Sequence, residues 1–415
     1  MGKAAKNLTE GQKKARRKGK LIVTGWVVGA IVVVIGILVA AGAIGYNGNM
    51  NKIKNLEAVG STVETPVYDA ENNSYTITIP GDREFKVLQL TDIHIGGGFL
   101  SVSKDGWAIE AVATLVERVK PDLVIVTGDI AYPVPFQAGT FNNKREAQMF
   151  GELMDKLDVY WALTFGNHDT ESYSYFDRDD IAKMYFENSL ACGGKWDKLL
   201  FSPGPEGIYG SCNYTINVKN DNGYVQSFFI MDSNAYMGDD PFGIMWNYDR
   251  IHDDQVAWYE SEVGRIKALN GGNVVKSMLF FHIPLTQYRD AWEEFRANGY
   301  KNTADVTYYY GFAGEGDDRV CCSEEVSPLF DAVLRLGSTK GIFCGHDHLN
   351  NWSVEYKGVR LTYGMSVDYL AYFGIYKKYE QRGGTVITVQ PDGGFAVKAE
   401  PLADGVYRGS EYYPQ

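Results

Sequence analysis

Three apolar patterns follow one another along the chain. The first is a single long block. Leu21 to Gly45 contains no charged side chain, and as a helix it would measure about 37 Å against the roughly 30 Å hydrocarbon core of a bilayer. The second is a series of short continuous apolar runs: Phe85 to Leu90, Leu123 to Val126, Val159 to Phe165, Gln226 to Met231, Val275 to Phe281 and Gly341 to Cys344. Runs of this length read as strands buried on both faces. The third is apolar residues at helical spacing, over Trp107 to Val119, Lys144 to Leu157, Asp253 to Ala268 and Ser327 to Leu336. The second and third patterns interleave, which predicts βαβ units. Tyr75 to Ile79 alternates and is expected at a sheet edge, and Trp352 to Val397 reads as several antiparallel strands. Thr170 to Gly223 lacks periodicity and is expected as a loop-rich cap or surface insertion.

These patterns divide the chain into a basic tail (1–20), a transmembrane signal anchor (21–45), a tether (46–72), one globular domain (73–400) and a C-terminal tail (401–415). Charge supports the division. Eight basic residues and one acid precede residue 21, whereas the remainder holds 32 basic and 51 acidic side chains. The positive-inside rule then places the N-terminus in the cytoplasm and the domain outside the cell on a single-pass anchor. The alternative is secretion after signal cleavage, with Ala41-Gly42-Ala43 as a faint cleavage site, but the apolar run is long for that. An acidic body excludes a nucleic-acid duplex as its partner, because phosphate backbones need a basic face. The five cysteines form no Cys-x-x-Cys pair, which argues against a structural zinc site. Cys192 and Cys212 are a possible disulfide in an oxidising space, as is the vicinal pair Cys321-Cys322.

Histidine is scarce, at six, and five of the six follow predicted strands: His94, His168, His282, His346 and His348. Asp92, Asp129 and Asn167 occupy equivalent places. Open α/β sheets bind ligands beyond the carboxyl ends of their strands, so these side chains are expected to converge. Imidazoles, carboxylates and one amide without a thiolate suit two hard or borderline cations, bridged by a carboxylate. Mn, Fe, Zn and Mg are the candidates, as two divalent or mixed-valence ions. His168 can carry a proton near neutral pH, and Asp169 is expected to hold its ring.

In this order, Asp92-x-His94, Gly128-Asp129, Gly166-Asn167-His168-Asp169, His282 and Gly345-His346-x-His348 resemble the signature of the calcineurin-like metallophosphoesterase superfamily. Asp253-Asp254-Gln255, Phe281-His282-Ile283-Pro284 and Arg382-Gly383-Gly384 are similar to the branch related to purple acid phosphatases. The resemblance spans roughly residues 84 to 395. It implies a four-layer α/β/β/α sandwich and hydrolysis of phosphate esters, mono- or diester. It also implies roles by position. Asp92, His94 and His348 would hold one metal, Asn167, His282 and His346 the other, and Asp129 would bridge them. His168 would protonate the leaving group or hold the phosphate. Tyr132 matches a tyrosine ligand of the purple enzymes, which lack the histidine present here as His94; we expect His94 to bind and Tyr132 to stand behind it or in the core. The expected substrate is a phosphorylated small molecule or envelope component, with Tyr173 to Phe176 and Tyr308 to Phe312 as possible stacking platforms. The alternatives are a phosphoprotein phosphatase of the same fold and a catalytically silent, metal-bound cell-surface binding protein.

Overall fold

The structure is a computed structural model that describes residues 9–240 and 242–415; Lys3 and Lys6 of the basic tail lie outside the described residues. The first element is a helix, α1 (Glu10–Lys54). There follow β1 (Val67–Asp69), β2 (Ser74–Thr78), β3 (Phe85–Leu90), α2 (Val102–Val119), β4 (Leu123–Thr127), α3 (Asn143–Leu157), β5 (Trp161–Thr164) and α4 (Arg178–Asn188). The second half comprises β6 (Tyr214–Asn220), β7 (Gly223–Ile230), α5 (Asp253–Leu269), β8 (Ser277–Phe280), α6 (Thr286–Ala297), β9 (Val306–Tyr310), α7 (Leu329–Leu336) and β10 (Thr339–Cys344). It closes with β11 (Ser353–Tyr356), β12 (Val359–Tyr363), β13 (Gly383–Val389) and β14 (Phe395–Pro401).

The strands form two sheets, one in the order β1-β2-β6-β7-β8-β10-β12-β11-β9 and the other β14-β13-β3-β4-β5. β3, β4 and β5 are parallel, as are β7, β8, β10 and β12. The continuous apolar runs have a simple cause in this arrangement. In the larger sheet, alternate residues face opposite ways. Phe228, Ile230, Met278, Phe280 and Phe343 join the core shared with the smaller sheet, where Phe228 stacks on Phe85 at 6.2 Å. Their neighbours Phe229, Met231, Leu279, Phe281, Ile342 and Cys344 pack with Tyr259, Trp292 and Leu329 of α5, α6 and α7. Both faces are thus dry. With α2 and α3 on the outer face of the smaller sheet, the layers are α/β/β/α, as the family resemblance implies.

Four details differ from the sequence reading. β2 is not an edge strand, because three-residue β1 covers it. The segment expected as a loop-rich cap holds α4 and the internal strand β6, whose side chains are buried on both faces and so carry no readable alternation. Residues 46–54, expected as tether, continue α1, with Asn49 and Ile53 buried against the domain. All five cysteines are free thiols: Cys192 is exposed, while Cys212 is buried with its sulfur 3.4 Å from Thr164 Oγ1.

α1 is long and apolar enough to cross a membrane, and Leu21, Ile22, Trp26, Ile35 and Ile44 are all exposed on it.

Candidate metal centre

β3, β4, β5, β8, β10 and β12 end at one edge, and the loops beyond them carry the chemistry. The backbone there is bent sharply. Asp92, His94, Asp129 and His346 have φ of 52°, 51°, 54° and 78°, the left-handed region that costs a non-glycine residue roughly 1–3 kcal/mol. Hydrogen bonds between loops hold it. His94 N donates to Asp129 O at 3.0 Å and Ile95 N to Ile130 O at 2.9 Å. The Asp169 carboxylate accepts from the backbone N–H of Asp129 (2.9 Å), Ala131 (2.8 Å) and Gly166 (2.8 Å). Gly166 must be glycine, since a Cβ there would fall 2.1 Å from Asp129 Oδ1. Arg178, at the start of α4, ties this loop to the end of β7: it donates to Gly166 O at 2.7 Å and pairs with Asp232.

All seven residues expected as ligands are buried at this edge. Ligand atoms of Asp92, His94, Asp129 and His348 lie within 4.8 Å of one another. Asp129 Oδ2 sits between His94 Nε2 (3.2 Å) and His282 Nε2 (3.1 Å), one imidazole from each expected half-site. On the second side, His282 Nδ1 lies 2.7 Å from Thr127 O, which leaves Nε2 directed at the centre. Asn167 Nδ2 donates to Tyr236 OH at 2.8 Å, while its Oδ1 and both ring nitrogens of His346 are buried without a partner.

A pair of cations fits this donor set. Buried polar atoms are rarely left unpartnered, and here the unpartnered ones are the oxygen and nitrogens that ligate cations. The electrostatics agree. Burial lowers the pKa of His94, yet the Asp368 and Asp129 carboxylates outweigh it and hold the ring well above the usual histidine value. His282 behaves alike: burial opposes, Asp129 prevails, and its pKa rises to about 9. The buried carboxylates therefore demand positive charge, which the imidazoles supply as protons when no ion does so. His346 goes the other way, held well below the usual value by burial and then by His282; it is a neutral imidazole ready to coordinate.

Two residues that sequence reasoning missed complete the site. Asp368, five residues beyond β12, stands behind the first half-site, with one oxygen 3.2 Å from His94 Nδ1 and the other 3.1 Å from His348 Nδ1. Its position just past a strand end was the available signal. Glu171 lies behind His168, whose Nδ1 is 2.6 Å from Glu171 Oε1. This corrects the expected role of Asp169, whose carboxylate is used by the three backbone groups instead. Tyr132 packs edge-on to His94 and His168, ring centres 4.8 and 4.9 Å away, and its hydroxyl faces Gln137 Oε1 (3.2 Å) and Ala371 O (3.4 Å) rather than the centre.

The centre opens into a cavity of about 630 Å³. His168, His346 and His348 line it together with Tyr173, Tyr236, Tyr248, Tyr372 and Trp246; Arg319 is the basic side chain in its wall among the described residues. Of the two expected aromatic platforms, Tyr173 is in this wall. Tyr308 instead stacks on Phe295 in the helix-side core, 5.1 Å between ring centres.

Comparison with known proteins identifies the family. The family model for calcineurin-like phosphoesterase matches residues 85–350. Probable inactive purple acid phosphatase 14 of Arabidopsis thaliana is 24% identical over 316 residues, covering 70% of this chain and 72% of the relative. Probable inactive purple acid phosphatase 29 of the same plant is 25% identical over 312 residues, covering 70% and 73%. Phosphatase DCR2 of Saccharomyces cerevisiae is 28% identical over 294 residues, covering 66% of this chain and 46% of its own length. A solved dimetal phosphatase from Danio rerio superposes with a TM-score of 0.48 at 11% identity, over 77% of this chain and 96% of that one. Matched over more than half its length, with the ligand pattern gathered at one sheet edge, the chain belongs to the calcineurin-like phosphoesterases.

Proposed function

We propose that the protein is a dinuclear metal-dependent hydrolase of phosphate esters, carried outside the cell on α1. The observation that carries the reading is Asp129 Oδ2 set between His94 and His282, with unpartnered donors of Asn167 and His346 beyond it. Asp92, His94 and His348 would hold one ion, Asn167, His282 and His346 the other, and Asp129 both. Two such ions, when bound, would supply charge to polarise the phosphoryl oxygens and to make hydroxide available at neutral pH.

The chain's own residues do the rest. His168 Nδ1 is engaged by Glu171, which leaves Nε2 for the cavity, where it steadies negative charge on the phosphoryl group and hands a proton to the departing alkoxide. Tyr132 and Tyr173 fix the wall beside it. The cavity wall combines the imidazoles of the centre with tyrosine and tryptophan rings, a lining that would hold a phosphate at the centre and pack its organic group against aromatic surface.

The printed names of the Arabidopsis relatives include the word inactive, so a silent metal-bound binding protein is the reading to be tested against. The complete ligand set supports turnover. Purified full-length protein, reconstituted separately with Mn, Zn or Fe, is expected to hydrolyse p-nitrophenyl phosphate or bis-p-nitrophenyl phosphate. Asp129→Asn and His282→Ala are expected to abolish that activity. Parent-like activity in Asp129→Asn would refute the dinuclear mechanism, and a fully metallated parent without activity would favour the binding protein.

A further inference from the structure

The way α1 meets the domain decides which way the cavity faces. α1 and α2 lie side by side with their residue numbers climbing together. Gly42 lies against Phe99, and Gly45 approaches Val102 so closely that a Cβ on it would fall 2.3 Å from Val102 Cγ2. Further on, Asn49 Nδ2 donates to Val102 O at 2.9 Å, and Lys52 pairs with Glu110 at 2.7 Å. α3 has the same sense: the Arg145 guanidinium lies 3.8 Å over the Tyr46 ring, and Val59 N donates to Leu157 O at 2.9 Å. Both helices therefore point away from the apolar stretch of α1. In a βαβ unit the helix runs back antiparallel to its strands, so β3, β4 and β5 point toward that stretch. The strand ends that bear Asp92, Asp129 and Asn167 are the membrane-ward end of the domain.

The rim at that end carries exposed apolar side chains and begins beside the apolar stretch of α1. Phe99 stands beside Gly42, inside the last turn of the apolar segment 21–45, with Leu100 next to it in the chain. Leu100 N donates to Ala138 O at 3.1 Å, which joins this loop to the segment whose Tyr132 and Val134 line the cavity. Phe136 in that segment is 92% exposed and Leu100 49% exposed; Phe373, next to cavity-lining Tyr372, is fully exposed. Apolar side chains displayed together call for a partner surface, and an anchored domain has one within reach. The acidic body offers an anionic leaflet no attraction, so the docking is apolar. A cavity of about 630 Å³ admits a head group, while acyl chains would stay in the leaflet.

We propose that the cleft opens onto the bilayer that holds α1, with Leu100, Phe136 and Phe373 dipping into its surface, and that the substrate is a phosphate ester on a lipid head group of that leaflet. The substrate part rests on the phosphoesterase reading above; the orientation does not. The test uses the full-length protein in phosphatidylcholine nanodiscs, in a Cys192→Ser background. An environment-sensitive dye on Phe136→Cys is expected to be quenched by doxyl-labelled lipid, and the same dye on Glu117→Cys, at the far end of α2, is not. Equal quenching at the two positions overturns the orientation. In the metallated protein, kcat/KM for dioleoyl phosphatidic acid or phosphatidylglycerol in the disc is expected to exceed that for the deacylated counterpart by at least about tenfold. Leu100→Ser with Phe136→Ser is expected to erase the preference and leave p-nitrophenyl phosphate turnover unchanged. A preference for both deacylated esters overturns the substrate class. Loss of all hydrolysis with Phe136→Cys still quenched would fault the phosphoesterase reading and uphold the orientation.

Discussion

His168 and its two acidic neighbours show how far residue identity alone carries an argument. Asp169 adjoins His168 in sequence, and a short carboxylate beside an imidazole invites pairing. In the fold, Asp169 turns inward and collects three backbone N–H groups, and burial first, then Asp129, raise its pKa to about 6. Glu171 reaches the ring because three residues of turn bring it round. The two acids should therefore fail differently. His168→Ala is expected to keep its metal, measured by elemental analysis, and to lose about 10²–10⁴ in kcat. Glu171→Gln should lose about 10–100-fold in kcat with KM little changed, the usual cost of releasing a group that orients another. Asp169→Asn should lower metal content and the thermal midpoint together, because its amide N–H₂ would confront a backbone donor.

At the scale of elements, the site is a property of strand ends. The strands β3, β4 and β10 stop where the backbone turns left-handed, and the stops after β3, β4, β5, β8 and β10 present their ligand side chains to a shared space. Those stops were legible, because a continuous apolar run followed by Asp, Asn or His marks them directly. The elements that read poorly were α4, β6, α6 and β9, and the two helices among them do support work. α4 delivers Arg178 to the Gly166 loop, and α6 packs Trp292 flat on Trp352, 4.9 Å between ring centres. The loops after β4 and β5 fit closely. Gly166→Ala would drive a methyl into the Asp129 carboxylate. That variant is expected to purify with little metal and no phosphatase activity, and with a lowered melting temperature; normal metal content would show that the loops separate more easily than their hydrogen bonds imply.

For the whole molecule, two buried carboxylates set a pH dependence. Asp105, in the first turn of α2, accepts Gly96 N at 2.8 Å and Gly97 N at 3.1 Å, and burial pushes its pKa up to about 7. Glu146 in α3, buried and next to Asp105, is raised as well. A carboxyl whose pKa is higher folded than unfolded leaves stability intact below about pH 4, where both forms are protonated, and removes it as pH rises toward and through 7. Asp105→Asn cannot ionise. Its melting temperature relative to the parent's, in detergent solution, should rise between pH 4 and 8; a constant difference would refute the assignment. These two residues also brace the loops nearest α1, so the end of the domain that faces the apolar stretch of α1 is where pH should act.

The sequence by itself determined the pattern-borne features of this protein. Apolar runs set the strands, helical spacing set the crossovers, a charge-free block set the candidate membrane helix, and strand-end histidines and aspartates set the candidate ligands. All of these depend on periodicity or on residues adjacent along the chain. Only the tertiary structure decided which acid serves which imidazole, that Asp368 backs two histidines, that Tyr132 turns its hydroxyl away from the centre, and that residues 46–54 continue a helix docked on the domain. It also decided the direction of the cavity relative to α1. The physical reason is common to these outcomes: each depends on side chains or helices far apart in sequence meeting at a particular angle, and no local pattern encodes an angle.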